Sequence, residues 1–474
     1  MRRGRDFAGL ILLAAACGAW AGQERRGNRP PRDREQEVFQ TGIPEYRGNV
    51  ILGRPTDRSI TLSILLRGAA DVRVVYGAAT GPLSRKSDTL DLKAGEPGEV
   101  LLEGLEKDTA FEYRVVAAGS GKPLLPEGGN GRFRTCRAPG AAFTFTVQAD
   151  SHLDGSCIPE LYKTCLANVL ADKPDFHIDL GDTFMTGKHE SRESAAKQYE
   201  AQRYYFGQVG QSAPLYLVIG NHDGEETRRE EDTGKGGLAV WSCLQRKRLF
   251  PNPVPDAFYS GNPERHPEAG PLQDYYAWTW GDALFVVLDP YWASRSGRGK
   301  DPWSMTLGRA QYDWLAGTLR KSKARRKFVF IHQLVGGLDA SGRGGAEAAA
   351  LFEWGDGNGF AGHRLGWGKP IHALLVETGV SVVFHGHDHF FARQELDGVV
   401  YQLVPQPAHR NSRNHQAAEY GYKTGDFLPS SGHLRVRVAT EGVTVEYIRA
   451  ATPEMERRGI RNGEVVLRYA IPRP

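Results

Sequence analysis

Leu215-Tyr216-Leu217-Val218-Ile219-Gly220-Asn221-His222-Asp223 joins a strand signal to a cluster of reactive side chains. Five apolar residues run without a polar break into a glycine, and then three side chains able to bind metal or move protons follow at once. A short apolar run bounded by a turn residue reads as a strand buried on both faces. The pattern recurs. Phe143-Thr144-Phe145-Thr146-Val147 leads to Asp150-Ser151-His152, and Phe176-His177-Ile178-Asp179-Leu180 to Gly181-Asp182. Lys327-Phe328-Val329-Phe330-Ile331 leads to His332, and Val380-Ser381-Val382-Val383-Phe384 to His385-Gly386-His387-Asp388-His389. Ala283–Leu288 is a further strand, while Ile158, Leu161, Cys165, Leu166, Val169 and Leu170 fall at helical spacing. Strands alternating with helices make a layered α/β domain. In such sheets ligands bind beyond the carboxyl ends of the strands, where each of these clusters falls.

Outward from this core, the chain of 474 residues is long enough for two or more domains. Sixty basic against 56 acidic residues give a net charge of +4, with 40% hydrophobic and 24% charged residues. That balance argues against wholesale disorder and against a dedicated nucleic-acid binder. No apolar run after the N-terminus is long enough for a transmembrane helix. Arg2, Arg3 and Arg5 precede an apolar stretch from Phe7 to Trp20, and Ala19-Trp20-Ala21 has the small-x-small pattern of a signal-peptide cleavage site. The expectation is a secreted or periplasmic protein cleaved near Ala21, the alternative a lipid anchor on Cys17. A charged linker, 22–42, follows.

Residues 43–138 alternate with period two, as in Val72-Arg73-Val74-Val75-Tyr76-Gly77 and Phe111-Glu112-Tyr113-Arg114-Val115-Val116. Short strands at this turn spacing predict an all-β sandwich domain. The segment from Leu102 to Tyr113 resembles the fibronectin type III pattern around its tyrosine corner, with Phe111 in the tyrosine's place. This region is expected to act as a spacer or dimerisation module. The catalytic domain is expected over 139–448, with loops at 186–212, 224–275 and 335–370 over its active face, and 449–474 as a closing strand segment.

The ordered series Asp150-x-His152, Gly181-Asp182, Gly220-Asn221-His222-Asp223, His332 and Gly386-His387-x-His389 resembles the calcineurin-like metallophosphoesterase superfamily. With the sandwich in front, the chain is similar to bacterial relatives of purple acid phosphatases. The resemblance implies a four-layer α+β sandwich and two metal ions: Asp150, His152 and His389 on the first, Asn221, His332 and His387 on the second, Asp182 bridging. It implies a metal-bridging hydroxide attacking phosphorus, with His222 stabilising the transition state or protonating the leaving oxygen and Asp223 orienting its ring. Iron, manganese and zinc all suit such a donor set. Purple acid phosphatases carry a tyrosine three residues after the bridging aspartate; here that position is Met185, so a colourless site is expected.

Arg364, His409 and Arg410 are candidates for gripping phosphate. His385 reads as structural, and His177 and Asp179 as structural or as supports behind the ligands. Cys157 and Cys165 lie eight apart on a helical segment, about 12 Å along its axis and too far for a disulfide; Cys136, Cys157, Cys165 and Cys243 are therefore buried thiols or include one long-range bridge. The leading function is hydrolysis of small phosphate monoesters, with a homodimer left open. The alternatives are a phosphodiesterase acting on nucleotides, phospholipids or nucleic acid, and a non-catalytic surface or adhesion protein carrying a relic domain.

Overall fold

Period-two alternation explains how the strands stack. In Ala283–Val287, Phe285 and Val287 point into the space between two sheets, while Leu284 and Val286 point the other way, and both sets are buried. Such strands need cover on both faces. In the computed structural model, which describes residues 38–227, 230–294, 301–338, 342–357, 359–409 and 414–472, that cover comes from a second sheet on one side and helices on the other.

The first sheet is six-stranded, in the order Leu215–Leu217, Phe176–Asp179, Phe143–Gln148, Gly432–Ala439, Gly442–Arg449, Val465–Pro472. Its first three strands are parallel and the rest antiparallel. The second sheet has eight strands, with a parallel ladder through Ala283–Val287, Arg326–Phe330, Val382–His385 and Val399–Leu403. Phenylalanines fill the gap between them: the Phe145 ring lies 5.1 Å from Phe285 and 5.5 Å from Phe328, and Phe330 stacks on Phe384 at 5.1 Å. Helices Arg309–Lys321 and Ile371–Glu377 cover the outer face of the second sheet. Helices Pro159–Ala171 and Arg192–Gly210 pack together on the outer side of the first. The result is the mixed, four-layer α/β arrangement expected, with an all-β region in front. In that region Gly48–Gly53, Ile60–Leu66 and Gly98–Leu102 form one sheet, and Ala70–Ala78 and Ala110–Ala117 centre the other. They share a core that includes Leu62, Val74, Phe111 and Phe133. Val38–Pro474 makes one compact unit, so this sandwich is packed on the α/β part.

Two expectations change. The segment 186–212, read as a loop, holds the 19-residue helix Arg192–Gly210, capped by Ser191 and Ser194. Its buried positions mix Tyr199, Tyr205, Phe206 and Val209 with Gln198, Gln202 and Arg203, so the apolar stripe is broken by polar side chains. The segment 224–275 likewise contains the helix Leu238–Leu249. Cys136, Cys157, Cys165 and Cys243 are all free thiols, Cys136 half-buried and the others buried, which leaves no disulfide among the described residues. Among those residues no helix is long and apolar enough to cross a membrane. The expected leader, residues 1–21 with Cys17, lies outside the described residues, as do linker residues 22–37.

Phe145 is fully buried at the centre of the inter-sheet ring cluster. Phe145→Ala is expected to lower stability by about 3–5 kcal/mol, read as a drop in the urea midpoint; a change below about 1 kcal/mol would show that this cluster does not hold the two sheets together.

Candidate metal centre

Each parallel strand delivers polar side chains just past its carboxyl end. Asp150 and His152 follow Phe143–Gln148, Asp182 follows Phe176–Asp179, and Asn221 follows Leu215–Leu217. His332 follows Arg326–Phe330, while His387 and His389 follow Val382–His385. The chain turns sharply there. Asp150, His152, Asp182, His387 and His389 have φ of 58°, 46°, 53°, 79° and 69°. Non-glycine residues in this region cost about 1–3 kcal/mol each, and such strain concentrates at functional sites. Glycine is needed where the loops touch: a Cβ on Gly220 would sit 2.0 Å from the Asp182 backbone nitrogen, and one on Gly386 2.7 Å from Asp150 Oδ2.

The two aspartates are used alike. Asp150 Oδ2 accepts the His387 N–H at 2.9 Å, and Asp182 Oδ1 accepts the His222 N–H at 2.7 Å. Their other oxygens face imidazoles. Asp150 Oδ1 lies 3.7 Å from His152 Nε2, 3.5 Å from His389 Nε2 and 4.0 Å from His332 Nε2. Asp182 Oδ2 lies 3.4 Å from His332 Nε2 and 3.9 Å from His152 Nε2. Donors sharing an ion at about 2.1 Å stand about 3.0–3.4 Å apart, so a slight contraction would seat a metal. The ligand atoms of Asp150, His152 and His389 form one cluster within 4.8 Å, and those of Asp182, His332 and His387 another.

The chemistry of the donors fits a cation. Asp150 Oδ1 and His152 Nε2 are buried without a hydrogen-bond partner among the described residues. His332 Nδ1 lies 2.8 Å from the Leu180 carbonyl, which needs a proton on that nitrogen, and its Nε2 then faces Asn221 Oδ1, an acceptor, at 3.2 Å. Burial would raise both carboxyls, yet the surrounding imidazoles hold Asp150 and Asp182 well below the usual carboxylate range. In return, against the pull of burial, the carboxylates push His152 up to about 10 and His332 up to about 9. Positive charge must sit here, as protons on imidazole or as metal, and metal binding releases those protons.

The sequence model described as calcineurin-like phosphoesterase matches residues 143–391, which spans every one of these ligands. The chain belongs to that family. No curated protein sequence matches it. Among solved structures, one of PhoD is 16% identical with a TM-score of 0.60, over 86% of this chain and 88% of that one. A purple acid phosphatase from seeds of yellow lupin (Lupinus luteus) is 14% identical with a TM-score of 0.56, over 90% of this chain and 74% of that one. At these identities the likeness is one of fold.

Within this calcineurin-like phosphoesterase the other expected site residues are placed unevenly. His222 is half-buried between buried Asn221 and Asp223. Asp223, expected to orient the His222 ring, has both oxygens filled by backbone N–H groups: Thr183 and Phe184 at 2.8 and 2.7 Å, Asp182 and Gly220 at 3.1 and 2.7 Å. Four donors saturate a carboxylate, so Asp223 ties the Asp182 and Asn221 loops together. Arg364 is paired with Glu353 at 2.5 Å and donates to the Trp303 carbonyl at 2.6 Å, between the rings of Trp303 and Trp367. His409 is buried, its Nε2 3.3 Å from Asp154 Oδ1. Arg410 lies outside the described residues. Met185 is buried.

Asp154 is the residue that sequence reading missed. Its Oδ2 takes His152 Nδ1 at 3.1 Å and its Oδ1 takes the Ser156 and Cys157 N–H groups at 2.8 and 3.2 Å. A proton on Nδ1 leaves Nε2 as the ligand atom, and such carboxylate–imidazole pairs steer metal ligands. The spacing Asp150-x-His152-x-Asp154 was the available signal. Asp388, between two ligand histidines, is held by Arg343 at 2.8 Å, Tyr422 OH at 2.8 Å and the Gly344 N–H at 2.9 Å.

Asp154→Ala is expected to weaken binding of one metal ion about 10–100-fold in calorimetric titration of the metal-free protein. Unchanged affinity would show that this carboxylate does not orient His152.

Proposed function

We propose that this chain is an exported binuclear-metal phosphoesterase that hydrolyses small phosphate monoesters. The observation that carries the reading is Asp182 Oδ2, which faces an imidazole of each donor cluster. Asp150, His152 and His389 would hold one ion, Asn221, His332 and His387 the other, and Asp182 both. When bound, a pair of such ions acidifies a water into a nucleophile and clamps the phosphoryl oxygens for in-line displacement. The donor set of mixed carboxylate, amide and imidazole suits iron, manganese or zinc. Met185 has no phenolate to offer, so the loaded protein is expected to be colourless.

The chain's own contribution is position and protons. Asp223 and the His222 N–H to Asp182 bond lock the Gly220–Asp223 turn against Asp182. Half-exposed among buried neighbours, the His222 imidazole is the proton source for the leaving alcohol. As the ester P–O bond breaks, its oxygen takes that proton and departs as the alcohol.

The test is hydrolysis of p-nitrophenyl phosphate and bis-p-nitrophenyl phosphate with added manganese, iron or zinc. Monoester turnover is expected, abolished in Asp182→Asn. His222→Ala is expected to lose about 10²–10⁴-fold in kcat with metal content unchanged. Diester preference would move the reading to a phosphodiesterase. A doubly loaded protein inactive on both esters would contradict it.

A further inference from the structure

The helix Arg192–Gly210 carries two sets of buried polar contacts. One set reaches the ligand loops. Gln198 Nε2 donates to the Thr183 carbonyl at 2.9 Å and to the His152 carbonyl. Gln202 Nε2 donates to the same Thr183 carbonyl and to Ser151 Oγ, both at 2.9 Å, and Tyr199 OH donates to the Asp223 carbonyl at 3.2 Å. Three side chains of one helix thus hold the loops of Asp150, Asp182 and Asn221 from behind.

The other set reaches the β-sandwich. Arg203, about 100° around the helix from Gln202, is fully buried. Its Nε donates to Asn49 Oδ1 at 3.0 Å, and its two terminal nitrogens to Ser63 Oγ at 3.1 Å and the Ser63 carbonyl at 3.0 Å. It also donates to the Leu249 carbonyl. Asn49 returns a bond to the Arg203 carbonyl at 2.9 Å, and Tyr113 OH donates to the Gln211 carbonyl at 2.9 Å. Glycines bring the surfaces together: a Cβ on Gly207 would lie 2.7 Å from Asn49 Nδ2, and one on Gly210 2.9 Å from Ile51 Cδ1. A buried guanidinium is tolerated only with its donors engaged, and here the sandwich supplies the acceptors on Asn49 and Ser63.

We propose that the β-sandwich is a working part of the metal centre: through Arg203 it sets the helix Arg192–Gly210, and through Gln198 and Gln202 that helix sets the ligand loops. Arg203 is a positioning residue, not a catalytic one. The inference rests on the two-metal reading above. It replaces the expectation of a spacer or dimerisation module with a role in metal affinity.

The test uses the full chain, stripped of metal and titrated with manganese by calorimetry. Wild type, Arg203→Lys, Gly207→Ala and a control, Phe133→Ala, in the sandwich core, are compared. Lysine cannot make the forked contacts, and an added Cβ at Gly207 presses on Asn49 while favouring the helix. Wild type is expected to bind two ions. Both interface variants are expected to bind at least one ion about tenfold more weakly, and the control to melt earlier with unchanged affinity. If Arg203→Lys does not fold, Gly207→Ala decides. Folded interface variants with wild-type affinity would overturn the proposal while leaving the two-metal reading intact, as would an equal loss in the control. A wild-type protein that binds no manganese, iron or zinc would overturn both.

Discussion

Asp150 and Asp182 are buried carboxylates that share the same imidazoles, and the surrounding architecture answers to their need for charge balance. An ionised carboxylate away from water costs several kcal/mol unless paired and hydrogen-bonded. Each aspartate meets this by giving one oxygen to a backbone N–H of a neighbouring ligand loop and turning the other toward histidine. The loops are thereby tied to one another before any ion arrives. Asp223 extends the same device, gathering four N–H groups from two loops. Burial and the Asp182 charge push its carboxyl upward, and the N–H donors pull it back.

This preorganisation has a conformational cost. Five of the residues facing the centre occupy the left-handed region without being glycine. Such turns persist only where the surroundings over-determine them. Here the parallel strands fix where each turn begins, and side chains from behind fix where it goes. Gln406 Nε2 on the Asp150 carbonyl at 3.1 Å and the Gln198 and Gln202 amides on the Thr183 carbonyl do that work. Beside the carboxylates of Asp154 and Asp223, these amides hold the loops from behind without adding charge.

The strands were legible in two patterns: Leu215–Ile219 stands as an apolar run, Phe143–Val147 and Phe176–Leu180 alternate apolar with polar residues, and each ends just before its ligands. The side chains expected around the two ions lie together because the carboxyl ends of the parallel strands of both sheets open on one crevice. The helix Arg192–Gly210 was not legible. Its buried face mixes Tyr199, Tyr205, Phe206 and Val209 with Gln198, Gln202 and Arg203, and the polar members blur the hydrophobic period that would mark a helix. Arg364 and His409 misled in the opposite sense. Their side-chain types suggested substrate contacts, but Glu353 and Asp154, distant or unremarked in sequence, hold them. Partners of that kind are set by tertiary contact, which local pattern does not carry.

The most direct measurement is anomalous diffraction from crystals of the protein loaded with manganese. The two-metal site predicts two peaks: one bonded by Asp150, His152 and His389, the other by Asn221, His332 and His387, with Asp182 within bonding distance of both. A single ion, or ions held elsewhere such as between Asp154 and His409, would contradict it.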